Sequence, residues 1–508
     1  MKHFYFALLS LSFLTFQLHA QEQSIGAKLI DSLSKKPIPF ATISTTKNSG
    51  VISNSSGNFV IHFRKKPSKK DSIFIRCLGY KTKRYLTHTF TDSIVLLSPE
   101  SIELNEVLLS NKNYTAEEII EKAKENLNTN YEFNYIKSRL FYRASDFSNM
   151  TKNEVDIKKS TIPEFNQKFV DSILLAMPKN ADDYTEILAD LYGKSNQDES
   201  FKLDIIKASH LYDKSKQVSL EGFEEKFNSI VKKYVKRDSY FKIKSGLFGT
   251  KESIDSSFFE SNKQEEIEQT EAFIEQKKKN EAARKKNFLN YRKSSIADLQ
   301  NTSFLFEDSD LNFLEKPNRY HFKIEDYSFL NDNFVYKITF TPKRKEDYKG
   351  TIYINADDFA IVRLDYENVK ALKNFRLLGI SYSKYLKKGT FIYSKISTDK
   401  YSLKYADIEE GSTFGIKRPL AIIEKNKHTK GRRKQNELSS DIHFIISNRH
   451  KNELVVFEDE PITESLFNNF TEKPKTSPIY LPKYNPDFWK GYNVIEPNQA
   501  IKDFKSIE

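Results

Sequence analysis

From Arg319 onward the side chains alternate with a period of two, and that alternation limits what the chain can become. Tyr320, Phe322 and Ile324 recur at every second position, and Phe334–Thr341 continues the pattern. Successive side chains of an extended chain point to opposite faces, so each such strand has one apolar face to cover. Turn formers punctuate the strands. Asn331-Asp332-Asn333 predicts a hairpin, and Ala356-Asp357-Asp358, between Gly350–Asn355 and Ala360–Tyr366, predicts a second. Lys387-Lys388-Gly389, between Leu377–Leu386 and Thr390–Ser397, predicts a third. Lys343–Lys349 reads as a loop. Lys400–Ala406, Thr413–Glu424 and Asp441–Ser447 add strands, with the basic Lys425–Lys434 at a hairpin tip. The expectation is a long antiparallel sheet over residues 301–470.

A second set of short strands lies near the N-terminus. Ile25–Ile30, Phe40–Thr45, Val51–Ser53, Phe59–Phe63, Ser72–Leu78, Lys83–Thr87 and Ser93–Leu97 are separated by turn signals such as Asn48-Ser49-Gly50 and Ser55-Ser56-Gly57-Asn58. About seven strands at this spacing predict a small β-sandwich.

Particular residues in this segment carry a resemblance. Gly26, Asp31, Pro37-Ile38-Pro39-Phe40-Ala41, Gly50, Gly57-Asn58-Phe59 and Gly79-Tyr80 are arranged as in the carboxypeptidase-regulatory-like domain. That domain is a transthyretin-like (prealbumin-like) sandwich of exported Bacteroidetes proteins. Residues 24–98 resemble it, and the tail Ile94-Val95-Leu96-Leu97-Ser98-Pro99, followed by Leu104-Asn105-Glu106-Val107, is similar to its usual exit. The family often has an acidic residue where Asn54 stands. The resemblance implies a fold and an exported setting, not a reaction. Residues 319–447 bear a weaker likeness to the half-barrel of periplasmic lipoprotein carriers, on Gly350–Asn355 and Ile361-Val362-Arg363-Leu364. The order of sandwich, helix and Phe141-Tyr142-Arg143 strand is similar to that of larger Bacteroidetes envelope proteins, some of which continue into an outer-membrane barrel. No barrel is expected here.

Between the two strand-rich regions, Asn113–Asn130 predicts a helix. Thr115 is its N-cap, Glu117 and Glu118 fill the first turn, and Ile119, Ile120, Ala123 and Leu127 form one apolar face. Ser138–Ala144 predicts a strand. Residues 146–300 read as mostly helical and polar. Within them Lys277-Lys278-Lys279, Arg284-Lys285-Lys286 and Arg292-Lys293 form a basic stretch, 277–293. It reads as a solvated helix face or a mobile insertion; the competing reading is an arm for an anionic membrane or nucleic acid. Aromatic residues are not interleaved as a single-strand stacking platform requires. In the C-terminal tail, residues 471–508, Trp489 is expected to pack back on the sheet, with a partner-binding tail as the rival reading.

Met1–Ala20 reads as a signal peptide: Lys2 and His3, an apolar run from Phe4 to Leu18, and Ala20 before the cut. The run is short for a membrane span, and no other stretch approaches 18 apolar residues, so no transmembrane helix is expected. Cys77 is the sole cysteine. It allows no intramolecular disulfide and is expected to be a small buried hydrophobe. The formal charge of +12 fits a Lys-rich surface, and would also suit an acidic partner.

A search for chemistry finds little. His19-x-x-Glu22 straddles the expected cleavage site, and His450-x-x-Glu453 has no later His to complete a zinc site. There is no Gly-x-Ser-x-Gly elbow and no P-loop. Asp308-Ser309-Asp310-Leu311-Asn312 begins like a calcium loop, but Phe313 stands where Gly is required. Asp357-Asp358 and Glu409-Glu410 fall at expected turns.

The sequence therefore predicts an α+β multidomain protein: signal peptide 1–20, transthyretin-like β-sandwich 21–99, linker with helix and strand 100–145, helical middle 146–300, antiparallel β-sheet or half-barrel 301–470, and Pro/aromatic tail 471–508. No catalytic, cofactor-binding or metal residue is nominated, and no cofactor. The expected role is non-catalytic binding or scaffolding at the periplasmic side of the outer membrane. Expected partners are outer-membrane or other envelope proteins, or a lipid, with peripheral membrane contact and no nucleic acid. One alternative is a lipid or lipoprotein carrier whose sheet encloses a cavity lined by Phe322, Ile324, Phe334, Tyr336, Ile338 and Phe340. The other is a hydrolase with an unrecognised site.

Overall fold

A computed structural model of the chain describes residues 23–506 except 46–49, 64–65, 101–113, 195–200, 216–220, 238, 247, 254–270, 307, 331–332, 427 and 429–432. The expected signal peptide, the Leu104–Val107 exit, the Asn331-Asp332 turn and most of the 425–434 tip lie outside the described residues. The chain is mostly β and divides into two compact units, one of residues 1–100 with 486–498, the other of 101–485 with 499–508.

The first unit holds strands β1 Gln23–Asp31, β2 Thr42–Thr45, β3 Gly50–Ile52, β4 Asn58–Phe63, β5 Ser72–Arg76, β6 Lys83–Leu86 and β7 Ile94–Leu97. They form two sheets, ordered β4-β1-β7 and β3-β2-β5-β6. Alternate residues are buried, among them Ile25, Leu29, Ile43, Phe59, Ile61, Ile73, Ile75, Val95 and Leu97. Two residues of the family pattern meet: the Tyr80 hydroxyl donates to Asp31 Oδ2 at 2.8 Å, while Asp31 Oδ1 accepts from the amides of Leu33 and Ser34. Cys77 is half-buried, not fully buried as expected, because β5 ends at Arg76 and the chain turns at Gly79.

Trp489 corrects a second expectation. It is buried in this first unit, with Val494 and Ile495, and does not return to the large sheet. Asn54 is what the segment requires. Its Nδ2 donates to the carbonyls of Glu496 (3.1 Å) and Pro497 (3.2 Å), and its Oδ1 accepts from the amides of Ser56 and Asn58. A carboxylate has no proton to give those carbonyls, which accounts for amide in place of acid here.

The second unit is built on one large sheet. Its strands are β8 Ile136–Ser160, β9 Asn180–Gly193, β10 Lys202–Tyr212, β11 Ser239–Ser245, β12 Phe248–Ser253, β13 Tyr320–Leu330, β14 Asn333–Pro342, β15 Tyr348–Asn355, β16 Ile361–Asn368, β17 Lys373–Leu377, β18 Ile380–Lys395, β19 Tyr401–Asn426, β20 Lys434–Pro461 and β21 Ile479–Tyr480. The order is β13-β14-β15-β16-β18-β19-β20-β8-β9-β10-β21, with β11 on β19, β12 on β11 and β17 on β18. Every pairing is antiparallel except β10 with β21. The middle region is thus not mostly helical. Strands β9 to β12 alternate there with helices, and β8 itself runs on to Ser160 because β20 pairs with it over its whole length.

The third expected hairpin is also corrected. Lys387, Lys388 and Gly389 lie inside β18, where Gly389 serves close packing: a Cβ there would come within 2.4 Å of the Asp407 carbonyl oxygen. The actual turn is Leu378-Gly379, with φ of 49° and 80° between the paired Leu377 and Ile380. Both positive angles are those of a type I′ turn, which favours Asn-Gly; a leucine there costs about 1–2 kcal/mol.

Helices α1 Ala116–Glu125, α2 Gln167–Ala176, α3 Glu221–Tyr234 and α4 Glu271–Asn301 belong to this unit. The expected cap of α1 is present as a reciprocal pair. Thr115 Oγ1 accepts from the Glu118 amide, and Glu118 Oε2 accepts from the Thr115 amide. In α4 the exposed residues cover most of the basic stretch, while Leu289, Ile296 and Leu299 are buried.

Candidate functional site

The face of the sheet chosen from the sequence as a carrier lining is packed. Ile338 and Phe340 are fully buried, and Phe322 and Tyr336 nearly so. Phe340 lies 4.9 Å from Phe313 and 5.7 Å from Tyr320, centroid to centroid, and Phe304 sits 5.9 Å from Tyr131 and 5.5 Å from Tyr393. An opening beside them, lined in part by Glu132, Gln300, Ser303, Phe306 and Tyr401, holds about 40 Å³. That is room for water, not for an acyl chain.

A larger space lies where the long strands β19 and β20 extend beyond this core. Helix α2 starts at Asn166, whose Oδ1 accepts from the Phe169 amide at 3.1 Å. Phe169 and Ile173 follow four apart on one side of it, and Phe165 stands just before the cap, four residues ahead of Phe169. In α3, Phe223, Phe227, Ile230, Val231 and Tyr234 recur at three and four, the stripe of an amphipathic helix. The two stripes meet through Phe165 and Phe227, stacked at 5.2 Å, and the buried cluster runs through Ile162, Phe169, Ile230, Val231 and Val235.

The sheet supplies the other wall. Ile243 of β11 stands opposite Ile422 of β19, which stands opposite Leu438 of β20. Paired residues of antiparallel strands project to the same face. Between that face and the helices is a cavity of about 360 Å³, lined by Ile162, Phe165, Val231, Phe241, Ile422 and Leu438 among others. Its volume and apolar lining are those of a small-molecule pocket.

Three of the polar groups that line it, Glu424, Asn436 and Glu437, are already engaged. Glu424, buried, accepts from the Lys236 amide (2.9 Å), the Ser239 hydroxyl (2.6 Å) and Asn436 Nδ2 (2.7 Å). Glu437 is held by Lys159 and Lys434, and their hydrogen bonds bring its carboxyl down to about 2. These bonds fix the pocket's shape.

The motifs weighed in the sequence do not converge. His450 and Glu453 are three apart on β20, so they face opposite sides of the sheet and cannot share a metal. His450 pairs with Asp146, whereas Glu453 is buried against Lys451 and Arg143. Asp310 pairs with Lys387, Asn312 accepts from Tyr320, and Phe313 is in the core. Asp358 accepts from Tyr401 at a turn, whereas Glu409 and Glu410, expected at a turn, lie inside β19 and point to opposite faces, toward Arg449 and Lys384. Among the described residues no group of three or more His, Cys, Asp or Glu is placed to hold a metal ion. A polar row does cross the sheet, Ser209–Glu186–Arg143–Glu453–Asp407–Thr390–Asp365, each residue opposite the next. Its members bond one another: Arg143 Nε donates to Glu186 at 2.7 Å, and Thr390 Oγ1 to Asp365 at 2.8 Å.

Fold and site together define a two-unit, mostly β protein with an apolar pocket on its large sheet. Residues 27–109 match the model of the CarboxypepD_reg-like domain, a regulatory-like and non-catalytic module. Among solved structures, the chain is similar to a chain of the Pseudomonas aeruginosa MucA/MucB complex at 5% identity, over 65% of this chain and 93% of that one, with a TM-score of 0.15. A chain of MucB in complex with MucA(peri) matches at 5% identity, 65% and 94% coverage and a TM-score of 0.16. Scores this low carry no argument about fold or function. No curated protein matches. No helix among the described residues is long and apolar enough to cross a membrane, which says nothing of β-barrels.

Proposed function

We propose that this is a non-catalytic binding protein of the cell envelope whose large sheet holds the acyl chain of a lipid between α2, α3 and strands β11, β19 and β20. The observation that carries the reading is the cavity of about 360 Å³ with its mostly apolar walls, at whose edge Glu424 and Asn436 are bonded to each other. Four of the six residues first expected to line a carrier, Phe322, Tyr336, Ile338 and Phe340, are buried in a core, while Ile324 and Phe334 are half-buried, so the binding place moves across the sheet to the far ends of β19 and β20. The N-terminal unit, read as a transthyretin-like sandwich, then serves as the module that fixes the compartment: exported, on the periplasmic side of the outer membrane.

The test is titration of the purified protein with a fluorescent fatty acid, cis-parinaric acid. Saturable binding displaced by palmitate supports the reading. Absence of saturable binding overturns it.

A further inference from the structure

One face of the large sheet carries an apolar belt that is open to solvent at its β17 edge. Phe375 pairs with Tyr382, Tyr382 with Phe414, Phe414 with Ile446, and Ile446 with Met150. The next row is Leu377, Ile380, Ile416 and Phe444. Paired residues share a face, so the nine side chains form two adjacent rows across β17, β18, β19, β20 and β8. Phe375 is 48% exposed, Leu377 55% and Phe414 41%. The opposite face at the same level is more polar, with Ser381, Ser383, Thr413 and Ser447 beside Ile445. The other six are half-buried, so the belt is most open at its β17 edge and at Phe414, and an exposed apolar patch marks an interaction surface.

Leu378 sharpens the point. It occupies the first central position of the β17–β18 turn at φ 49°, a conformation leucine rarely adopts, and it is 49% exposed. The turn is not loose, because the Lys417 amide donates to the Gly379 carbonyl at 2.7 Å. A strained apolar side chain is thus held out at the hairpin tip, where asparagine would fit at no cost.

Many cations near the belt are already neutralised: Lys370 pairs with Asp347, Lys384 with Glu410, Lys388 with Glu409 and Lys395 with Asp358. Lys373 and Arg376, which flank the exposed Phe375 within β17, form no ion pair among the described residues. Exposed apolar side chains for the acyl boundary, with two unpaired cations beside them for the headgroups, are the chemistry of an interfacial membrane contact.

We infer that this belt, with the Leu378 tip leading, docks the protein on an anionic lipid bilayer. The occupant follows from charge complementarity: the cations need an anionic surface, and the apolar rows need its interior. The inference stands apart from the pocket, though the two share a face. Ile422, in the pocket wall, is six residues beyond Ile416 on β19, about 20 Å along the strand.

Co-sedimentation tests it, with vesicles of phosphatidylcholine alone and with a third of the lipid replaced by phosphatidylglycerol. The expected result is binding to the anionic vesicles that falls with salt. Leu377→Glu weakens it by about tenfold or more, and Lys373→Glu, on the belt face two residues from Phe375, weakens it on anionic vesicles only. Leu378→Asn separates docking from folding: its vesicle binding falls while its unfolding midpoint rises, because the turn strain is relieved. Val231→Phe, in the pocket, leaves vesicle binding unchanged, so failure of docking and failure of the pocket reading are told apart. Absence of vesicle binding by the parent protein, or a Leu377→Glu variant that binds as the parent does, overturns the inference. So does a dimer that Leu377→Glu dissociates without any lipid binding, since the edge strand β17 would then be pairing with a second copy.

Discussion

Phe313 and Phe340 lie 4.9 Å apart, centroid to centroid, with their rings tilted by 30° and both side chains fully buried. That contact closes the space in which an acyl chain was expected from sequence. It also predicts a cost. Phe340→Ala should destabilise the protein by about 3–5 kcal/mol in urea unfolding, as large-to-small changes in a filled core do. Fatty-acid binding by the variant that remains folded should be unchanged.

The pocket predicts the reverse. Val231→Phe adds volume to a cavity, so its stability should stay within about 1–2 kcal/mol of the parent. Its affinity for cis-parinaric acid should fall by about tenfold or more. Fluorescence titration and a urea melt on the same sample check both halves.

Asn54 tests the place of the C-terminal segment. Asn54→Asp keeps the shape but turns an N–H donor into a carboxylate facing the carbonyls of Glu496 and Pro497. The expected loss is about 2–4 kcal/mol. Trp489, the single tryptophan, is buried in the same unit and reports on it by its emission. The variant should shift the Trp489 unfolding midpoint to lower urea.

Burial pushes the Asp407 carboxyl up to about 6 from its ordinary 3.8, with Lys451 opposing and Glu453 adding to the rise. A carboxyl raised on folding binds its proton more tightly in the folded state. Its contribution to stability is full below about pH 4 and is lost as pH rises through about 6. Asp407→Asn removes that loss and should be more stable than the parent at pH 7 by about 1–3 kcal/mol. The gap should close in melts taken near pH 4.

Much of the local structure was legible. Thr115 and Glu118 announced a helix start by spacing alone, and the alternation at Tyr320, Phe322 and Ile324 announced β13. The glycine signal misled at Gly389, because the same residue type serves both turns and close strand packing. The true turn was hidden because Leu378 takes an angle that leucine disfavours. The pocket was not legible at all as a site. The stripes at Phe165, Phe169 and Ile173 and at Phe223, Phe227 and Ile230 were present to be read. Nothing local tells that β11 pairs with β19 and so brings Ile243 and Ile422 to face them. Likewise, Trp489 carries no mark of which unit buries it.

The most direct measurement is organic extraction of the purified protein followed by mass spectrometry of what it carries. The account predicts a lipid or fatty acid in near-stoichiometric amount from the parent and its loss from Val231→Phe. An extract without lipid, from protein that also fails to take up fatty acid afterwards, would contradict it.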